Sequence, residues 1–288
     1  MSEIYAKRRI DVTINLGEGD FGEGRGQDVT LTGYRCQAVI MQYNSTAQGM
    51  LELAIYGLPL EMINRLTRIG TVQNQYKINS ILVAAGDQDG VMHVVYQGQI
   101  DQAFGNFMGM PEVALIVLAR AATVAAVKPV NASSYRGAAD VGQIMQDLAT
   151  TMGFQFVNEN VSVQLSNPYF RGTALDQVRS CAQAANINYS IGKGILRIWG
   201  KGTAISAAPI PVSVNTGLIG YPNFSENGIE LTTLFNPNYT LGGNVEVQST
   251  LTPACGVWNV WRVIHSITSE TPGGQWLSQV SASRLKNG

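Results

Sequence analysis

The chain has 288 residues, long enough for two or three domains, and 45% of them are hydrophobic, which suffices for real cores. Only 14% are charged, with 19 basic against 20 acidic residues and a net charge of −1, whereas average soluble domains carry roughly 25%. The one basic cluster, Lys7-Arg8-Arg9, is too small for a nucleic-acid-binding surface.

No apolar run reaches the ~18 residues of a membrane helix, and the richest stretch, Ala114–Val127, contains Arg120. A surface this poor in charge is therefore expected to meet other protein. Met1–Ile10 lacks the apolar core of a signal peptide. Cys36, Cys181 and Cys255 are odd in number and far apart, so no disulfide framework is expected and the chain reads as made in a reducing cytoplasm. The Asn-x-Ser/Thr triplets at Asn44 and Asn238 then carry no meaning as glycosylation sites.

Ile10–Leu16 alternates apolar and polar residues, the period of a half-buried strand. A Gly-rich segment, Gly17 to Gly26, follows it. Further strands are expected over Tyr34–Tyr43, Met50–Leu58, Tyr76–Ala85, Met92–Ile100 and Ala114–Ala122. Asp87-Gln-Asp-Gly90 favours a tight hairpin turn. One short helix opens with Pro59 at its first position and places Leu60, Ile63 and Leu66 on one face. Strands at this spacing suggest an antiparallel sheet curling into a barrel or sandwich over residues 1–128.

Residues 129–203 change character. Val141, Ile144, Met145, Leu148 and Met152 follow helical spacing, and Gly153 stands at the C-terminal cap position. Phe154–Val157 reads as a strand. Thr173-Ala-Leu-Asp176 resembles a capping box, opening a second helix whose Leu175, Val178, Ala182 and Ala185 form an apolar stripe. Asn188–Ile191 and Ile195–Trp199 flank a short hairpin at Gly192-Lys-Gly194. Two helices on a small sheet make a separate α/β insert.

The third segment, 204–288, begins loose and then resumes strand patterning over Gly228–Phe235, Asn244–Ser249, Val257–Ser269 and Gln275–Ala282. Its clearest hairpin turns at Pro272-Gly-Gly274. Val257, Asn259, Trp261, Val263 and His265 share one face of the first strand. Trp258, Val260, Arg262, Ile264 and Ser266 share the other. Both faces are largely apolar, as expected of a barrel wall that also packs outward. The fold class is thus mainly β with an α/β insert.

None of the possible chemistries is supported by spacing. The Gly-rich loop is acidic, lacks a Gly-Lys-Ser/Thr ending and runs toward another strand, so it reads as an inter-strand loop rather than a phosphate cradle. Glu18, Asp20 and Glu23 do not have EF-hand spacing. His93 and His265 lie in strand patterns without metal-ligand neighbours and read as partly buried sheet residues. Glu226, Glu230, Glu246 and Glu270 read as solvated strand ends rather than a glycosidase pair. Cys181 reads as a small hydrophobe on its helix. Trp199, Trp258, Trp261 and Trp276 read as core or subunit contacts. No catalytic, cofactor-binding or metal-binding residue is assigned.

The order of parts resembles the baseplate hub proteins of contractile-tailed bacteriophages, the broad family that includes the late control D proteins. The carrying residues are Leu51-Glu-Leu-Ala-Ile-Tyr-Gly-Leu58 with Asn64-Arg-Leu66, then Ile81–Gly86 with Val94-Val-Tyr-Gln-Gly-Gln-Ile100. Arg136-Gly137 and Gly172-Thr173 precede the two helices of the insert. Gly256-Val-Trp-Asn-Val-Trp-Arg-Val-Ile-His-Ser266 with Gln275-Trp-Leu277 matches the closing hairpin.

The resemblance implies a structural part, not an enzyme. Two tube-protein-like antiparallel β-barrel domains, 1–128 and 204–288, would flank the inserted domain, 129–203. Three copies would form a ring that joins the sixfold tail tube to the threefold central spike and lines the DNA channel. The implied partners are the tail tube or tube-initiator protein, the spike, the tape-measure protein and baseplate wedge proteins, with DNA passing unbound and no membrane insertion. The implied location is the virion tail baseplate, assembled in the host cytoplasm. The rival readings are a distal-tail or tube-initiator ring and, from another class, a tail-associated cell-wall hydrolase or carbohydrate-binding module.

Overall fold

The computed structural model describes residues 7–21, 26–44, 48–67 and 79–285. It is mainly β and divides into two compact units. The first draws on Met1–Met41, Gly49–Thr123 and His265–Trp276. The second draws on Gln42–Gln48, Val124–Ile264 and Leu277–Gly288.

The chain begins with β1 (Arg8–Asn15), β2 (Asp28–Leu31), β3 (Cys36–Tyr43), β4 (Gly49–Tyr56), α1 (Leu60–Leu66), β5 (Ser80–Asp87), β6 (His93–Asn106), β7 (Ala114–Arg120) and α2 (Thr123–Val127). The middle carries β8 (Ser133–Ser134), β9 (Ala138–Asp140), α3 (Val141–Met152), β10 (Gln155–Glu159), β11 (Gln164–Ser166), β12 (Tyr169–Phe170), α4 (Ala174–Ala184), β13 (Ile187–Gly192) and β14 (Ile195–Gly200). It closes with β15 (Ile210–Val212), β16 (Asn223–Ser225), β17 (Gly228–Leu234), β18 (Asn244–Val247), β19 (Gly256–Ser269) and β20 (Trp276–Ser283).

In the first unit the strand order is β19-β3-β4-β7-β6-β5-β1-β2, with β19 entering by its last residues. Alternation decides which face is buried: Ile10, Val12 and Ile14 of β1 and Ile81, Val83 and Ala85 of β5 are all at or near zero exposure. Met62, Ile63 and Leu66 of α1 add to this core. Pro59 stands at the N-cap, one residue earlier than expected, and α1 packs on β6. The strand expected over Tyr76–Ala85 is β5, which starts at Ser80; residues 76–78 lie outside the described residues. The turn after Asp87 is longer than a two-residue hairpin, since β6 begins only at His93. Among the described residues no pairing joins β2 back to β19, so the strands there do not close the expected N-terminal barrel.

Two irregularities in β6 shape this sheet. The register shifts between Val83 and Ala84 of its partner β5, and again between Ile100 and Gln102. The second bulge leaves Asp101 outside the ladder, free to bind Arg120 Nε (2.6 Å) and the buried Thr123 hydroxyl (2.7 Å). Tyr96 folds over Gly98: a Cβ built at Gly98 would lie 2.3 Å from the Tyr96 hydroxyl oxygen and 2.7 Å from the Arg120 carbonyl oxygen. The Tyr-x-Gly spacing in the sequence is thus a packing device.

In the second unit, β14 pairs with β10 in parallel and with β13 antiparallel, and α3 packs on α4. The caps form as the sequence predicts. Gly153 ends α3 in the left-handed region, and Thr173 with Asp176 closes a complete capping box on α4. Lys193 and Gly194 both have positive φ, the signature of a two-residue hairpin turn. Gln177, fully buried, pins the segment 131–133 to α4. Its Oε1 accepts from Ser133 N (3.2 Å) and Oγ (2.6 Å), and its Nε2 donates to Asn131 O (3.0 Å).

The other face of this small sheet is covered by the chain that follows it. Glu159 accepts from Arg197 (2.6 Å) and from the Ser206 amide (3.0 Å). Trp199, Ile205 and Leu241 form one buried cluster. Gly242, at positive φ, lets its backbone approach the Trp199 ring, where a Cβ would come within 2.8 Å. Beyond it the order β16-β17-β20-β19-β18-β15 is antiparallel at β16–β17, β17–β20 and β18–β19, while β15 joins β18 in parallel. Its core holds Ile229, Leu231, Val245, Val247, Trp258, Val260, Val263 and Val280. Here too no pairing among the described residues closes a barrel; β15 and β16 end the series.

Replacing Gly98→Ala is expected to destabilise the protein by about 1–3 kcal/mol through overpacking. Tyr96→Phe, which removes a buried hydroxyl without a partner, should be neutral or slightly stabilising. Chemical denaturation of the two variants checks both. Burial pushes Glu159 up, but Ser206 and Arg197 outweigh it and hold the carboxyl below its ordinary value. A depressed folded-state value stabilises at neutral pH, and the gain is lost as pH falls through that value. Glu159→Gln should therefore cost about 1–3 kcal/mol at neutral pH and flatten the loss of stability on acidification, as read from thermal melts across the acid range.

Candidate functional site

The residues weighed in the sequence do not converge on a reaction centre. The Gly-rich segment links β1 to the antiparallel β2, with Phe21 buried and Leu16 N bonded to Gln27 O (2.9 Å). Arg65 of α1 donates to the Asp20 carbonyl (2.9 Å). Glu18 and Asp20 are exposed, and Glu23 lies outside the described residues. Among the described residues no three His, Cys, Asp or Glu stand together as a metal site.

The histidines part company. His265 is buried as expected, whereas His93 is exposed at the first residue of β6, where the strand has just left its loop. Glu230 is not a solvated strand end: it sits within β17 and pairs with Arg262 (2.9 Å). Glu270 pairs with Lys7 (2.6 Å), while Glu226 and Glu246 are exposed. Burial pushes the Cys36 and Cys181 thiols up to about 12, far from thiolate chemistry at neutral pH. Trp199, Trp258 and Trp276 are core residues, and Trp261 is half-buried.

What the sequence patterning missed is a pair of exposed apolar surfaces. The first is the tip between β6 and β7. Met108 is 98% and Met110 73% exposed, with Phe107 and Phe104 also accessible. The tip is held in shape rather than loose. Asn106 Oδ1 accepts from Met108 N (3.1 Å), and Gly109 O accepts from Glu112 N (2.9 Å). Glu112 receives both terminal nitrogens of Arg35, whose guanidinium lies 3.9 Å from the Tyr56 ring centre. This bidentate pair holds Arg35 above its ordinary value and Glu112 below its own. Phe107 packs back over Gly105, where a Cβ would meet its ring at 2.6 Å and Ile63 at 2.9 Å. The signal was present as the run Phe107-Met108-Gly-Met110 between strand and proline, where turn residues are ordinarily polar.

The second surface lies at the β16–β17 edge of the second unit. Ile219 and Leu234 are exposed on one face of that edge and Phe224 on the opposite face, with Val214 and Tyr221 exposed in the segment before β16. Residues 217–219 run alongside β17: Ile219 N bonds Thr232 O and Leu234 N bonds Gly217 O, each at 2.8 Å. Gly217, at φ +102°, brings its backbone against Leu234. The nearby charge is largely neutralised, because Arg262 binds Glu230 and Ser281. These exposed apolar residues, with Glu112 beside the first group and Glu226 beside the second, can bind other protein.

Comparison with known proteins places this geometry. No curated protein sequence matches the chain. The chain is similar in fold to the 43 kDa tail protein of prophage MuSo2 from Shewanella oneidensis, with TM-score 0.62, 11% identity, and coverage of 96% of this chain and 98% of that one. It is similar also to the tail protein from Neisseria meningitidis MC58, with TM-score 0.64, 10% identity and coverage of 95% and 96%. A chain of the Francisella PdpA-VgrG complex matches at TM-score 0.55 and 10% identity, covering 98% of this chain and 58% of that one. The family model described as "Baseplate hub gp41" matches residues 9–271. The chain belongs to the baseplate hub gp41 family of phage tail proteins.

Proposed function

We propose that this hub works by assembly and not by catalysis. Three copies form a ring in the virion tail baseplate, joining the sixfold tube to a threefold spike and leaving a passage for DNA. The observation that carries this reading is the pairing of a structural tail family with two different exposed apolar surfaces on one chain. A closed ring of like subunits needs such a pair, since each copy presents one patch and receives on another. In this reading residues 1–128 and 204–288 supply the two tube-like halves, with 265–276 serving the first, and 129–203 lies outside the ring toward the baseplate. The likeness in fold to a chain of a PdpA-VgrG complex supports a role within a multi-protein assembly. Buried thiols, paired carboxylates and a buried His265 support a non-enzymatic role.

The tip is the element to alter. Met108→Asp combined with Met110→Asp puts two carboxylates where partner protein should exclude water. The variant should fold with an unchanged melting temperature, because both side chains are exposed in the free chain. Assembly with co-expressed tail proteins should weaken at least a hundredfold, about 3 kcal/mol by the usual conversion. Full assembly by the double variant, read by sedimentation, would overturn the reading.

A further inference from the structure

We infer that the N-terminal unit is finished by the C-terminal hairpin: residues 265–276 are its last structural piece, and its sheet stays incomplete until they dock. This conclusion is independent of the functional reading above. The first unit takes Met1–Met41 and Gly49–Thr123 from one end of the chain and His265–Trp276 from the other. Everything from Val124 to Ile264 is made in between and belongs to the second unit.

The added piece is built into the sheet. β19 is the neighbour of β3 in the strand order, so without it β3 would be a bare edge. On β3 the inward residues Cys36, Ala38 and Ile40 are at 0–1% exposure. On the incoming strand His265, Ile267 and Ser269 are buried to a similar degree. Ser269 Oγ donates to the Tyr34 carbonyl at 3.0 Å, across a sequence separation of 235 residues. Glu270 pairs with Lys7 (2.6 Å), and Trp276 lies 5.5 Å under the Arg8 guanidinium. The tip thus reaches β3 and the start of β1 together. A groove remains along the seam, between residues 37–39 and 266–268.

The tip is also shaped to dock as one unit. Thr268 N bonds Gln275 O (2.8 Å), and Glu270 and Gly273 supply the positive φ values that turn the chain. Closing so long a loop costs entropy that must be met before any contact forms, which puts this pairing late. Until then β3 presents unpaired backbone N–H and C=O groups, a template for pairing with another chain. A chain cut short before residue 265 would keep that edge open. The device ties the N-terminal sheet to the presence of the C-terminus.

Hydrogen exchange on the full chain tests this with two variants. In Ile267→Ala, amides of β3 and β4 should exchange at least tenfold faster, together with those of the tip, while β17 and β18 keep their wild-type rates. Ser269→Ala, a milder change that leaves the core filled, should give the same pattern at a few-fold. If exchange rises only within residues 256–283 while 36–56 keep wild-type protection, the N-terminal sheet is complete without the hairpin and the inference is wrong. Should Ile267→Ala fail to fold, Ser269→Ala decides alone by the same comparison.

Discussion

Strand β19 buries Trp258 and Val260, leaves Trp261 and Arg262 partly exposed, and then buries Val263, His265, Ile267 and Ser269. A regular strand would keep one parity throughout, because successive side chains point to opposite faces. Here the buried parity changes once, at Trp261 and Arg262. Both faces of this strand must therefore be apolar in sequence, although each is buried over only part of its length. Arg262 is tolerated at the change because Glu230 and Ser281 satisfy it. Trp258, Val260 and Val263 join the core of the second unit, while residues from His265 onward belong to the first. One strand supplies core to both.

This explains what the sequence could and could not reveal. The double-sided hairpin over 256–283 is plain in the residue pattern, and so are α3 with its glycine cap and α4 with its Thr173–Asp176 box. Those signals are local, governed by a few neighbouring residues. The closure of strands into barrels is not local. It depends on how terminal strands such as β2, β15 and β16 are satisfied, and nothing in their short sequences states it. The bulges of β6 were hidden for a related reason: Val94–Ile100 looks regular until Asp101 is pushed out of register toward Arg120 and Thr123. Gln177, of a residue type ordinarily found on the surface, is a buried pin on α4, because its four polar contacts come from distant segments or backbone.

The candidate site followed the same division. The spacing of the histidines and of Cys181 points to packing roles, and the burial of His265 and Cys181 agrees with it. Glu230 shows the limit of that reasoning, since its partner Arg262 stands 32 residues away in sequence. The apolar tip at 107–110 is not legible in the alternating residue pattern. Period-two patterning assigns apolar residues to cores, so a run of them inside a turn has no place in it. Its meaning emerges only when Arg35, Tyr56 and Glu112 are seen to hold that turn in one shape. An ordered apolar tip, its flanking charges paired with each other, is what a protein partner can recognise at low entropic cost.

In the proposed role this chain acts as a subunit whose exposed apolar surfaces are covered by assembly. Mass measurement of the native particle, combined with methionine-oxidation footprinting, addresses it most directly. Three copies per particle are expected, with Met108 and Met110 oxidised readily in the free chain and protected in the assembled one. A particle holding a single copy, or one in which both methionines remain as reactive as in the free chain, would contradict it.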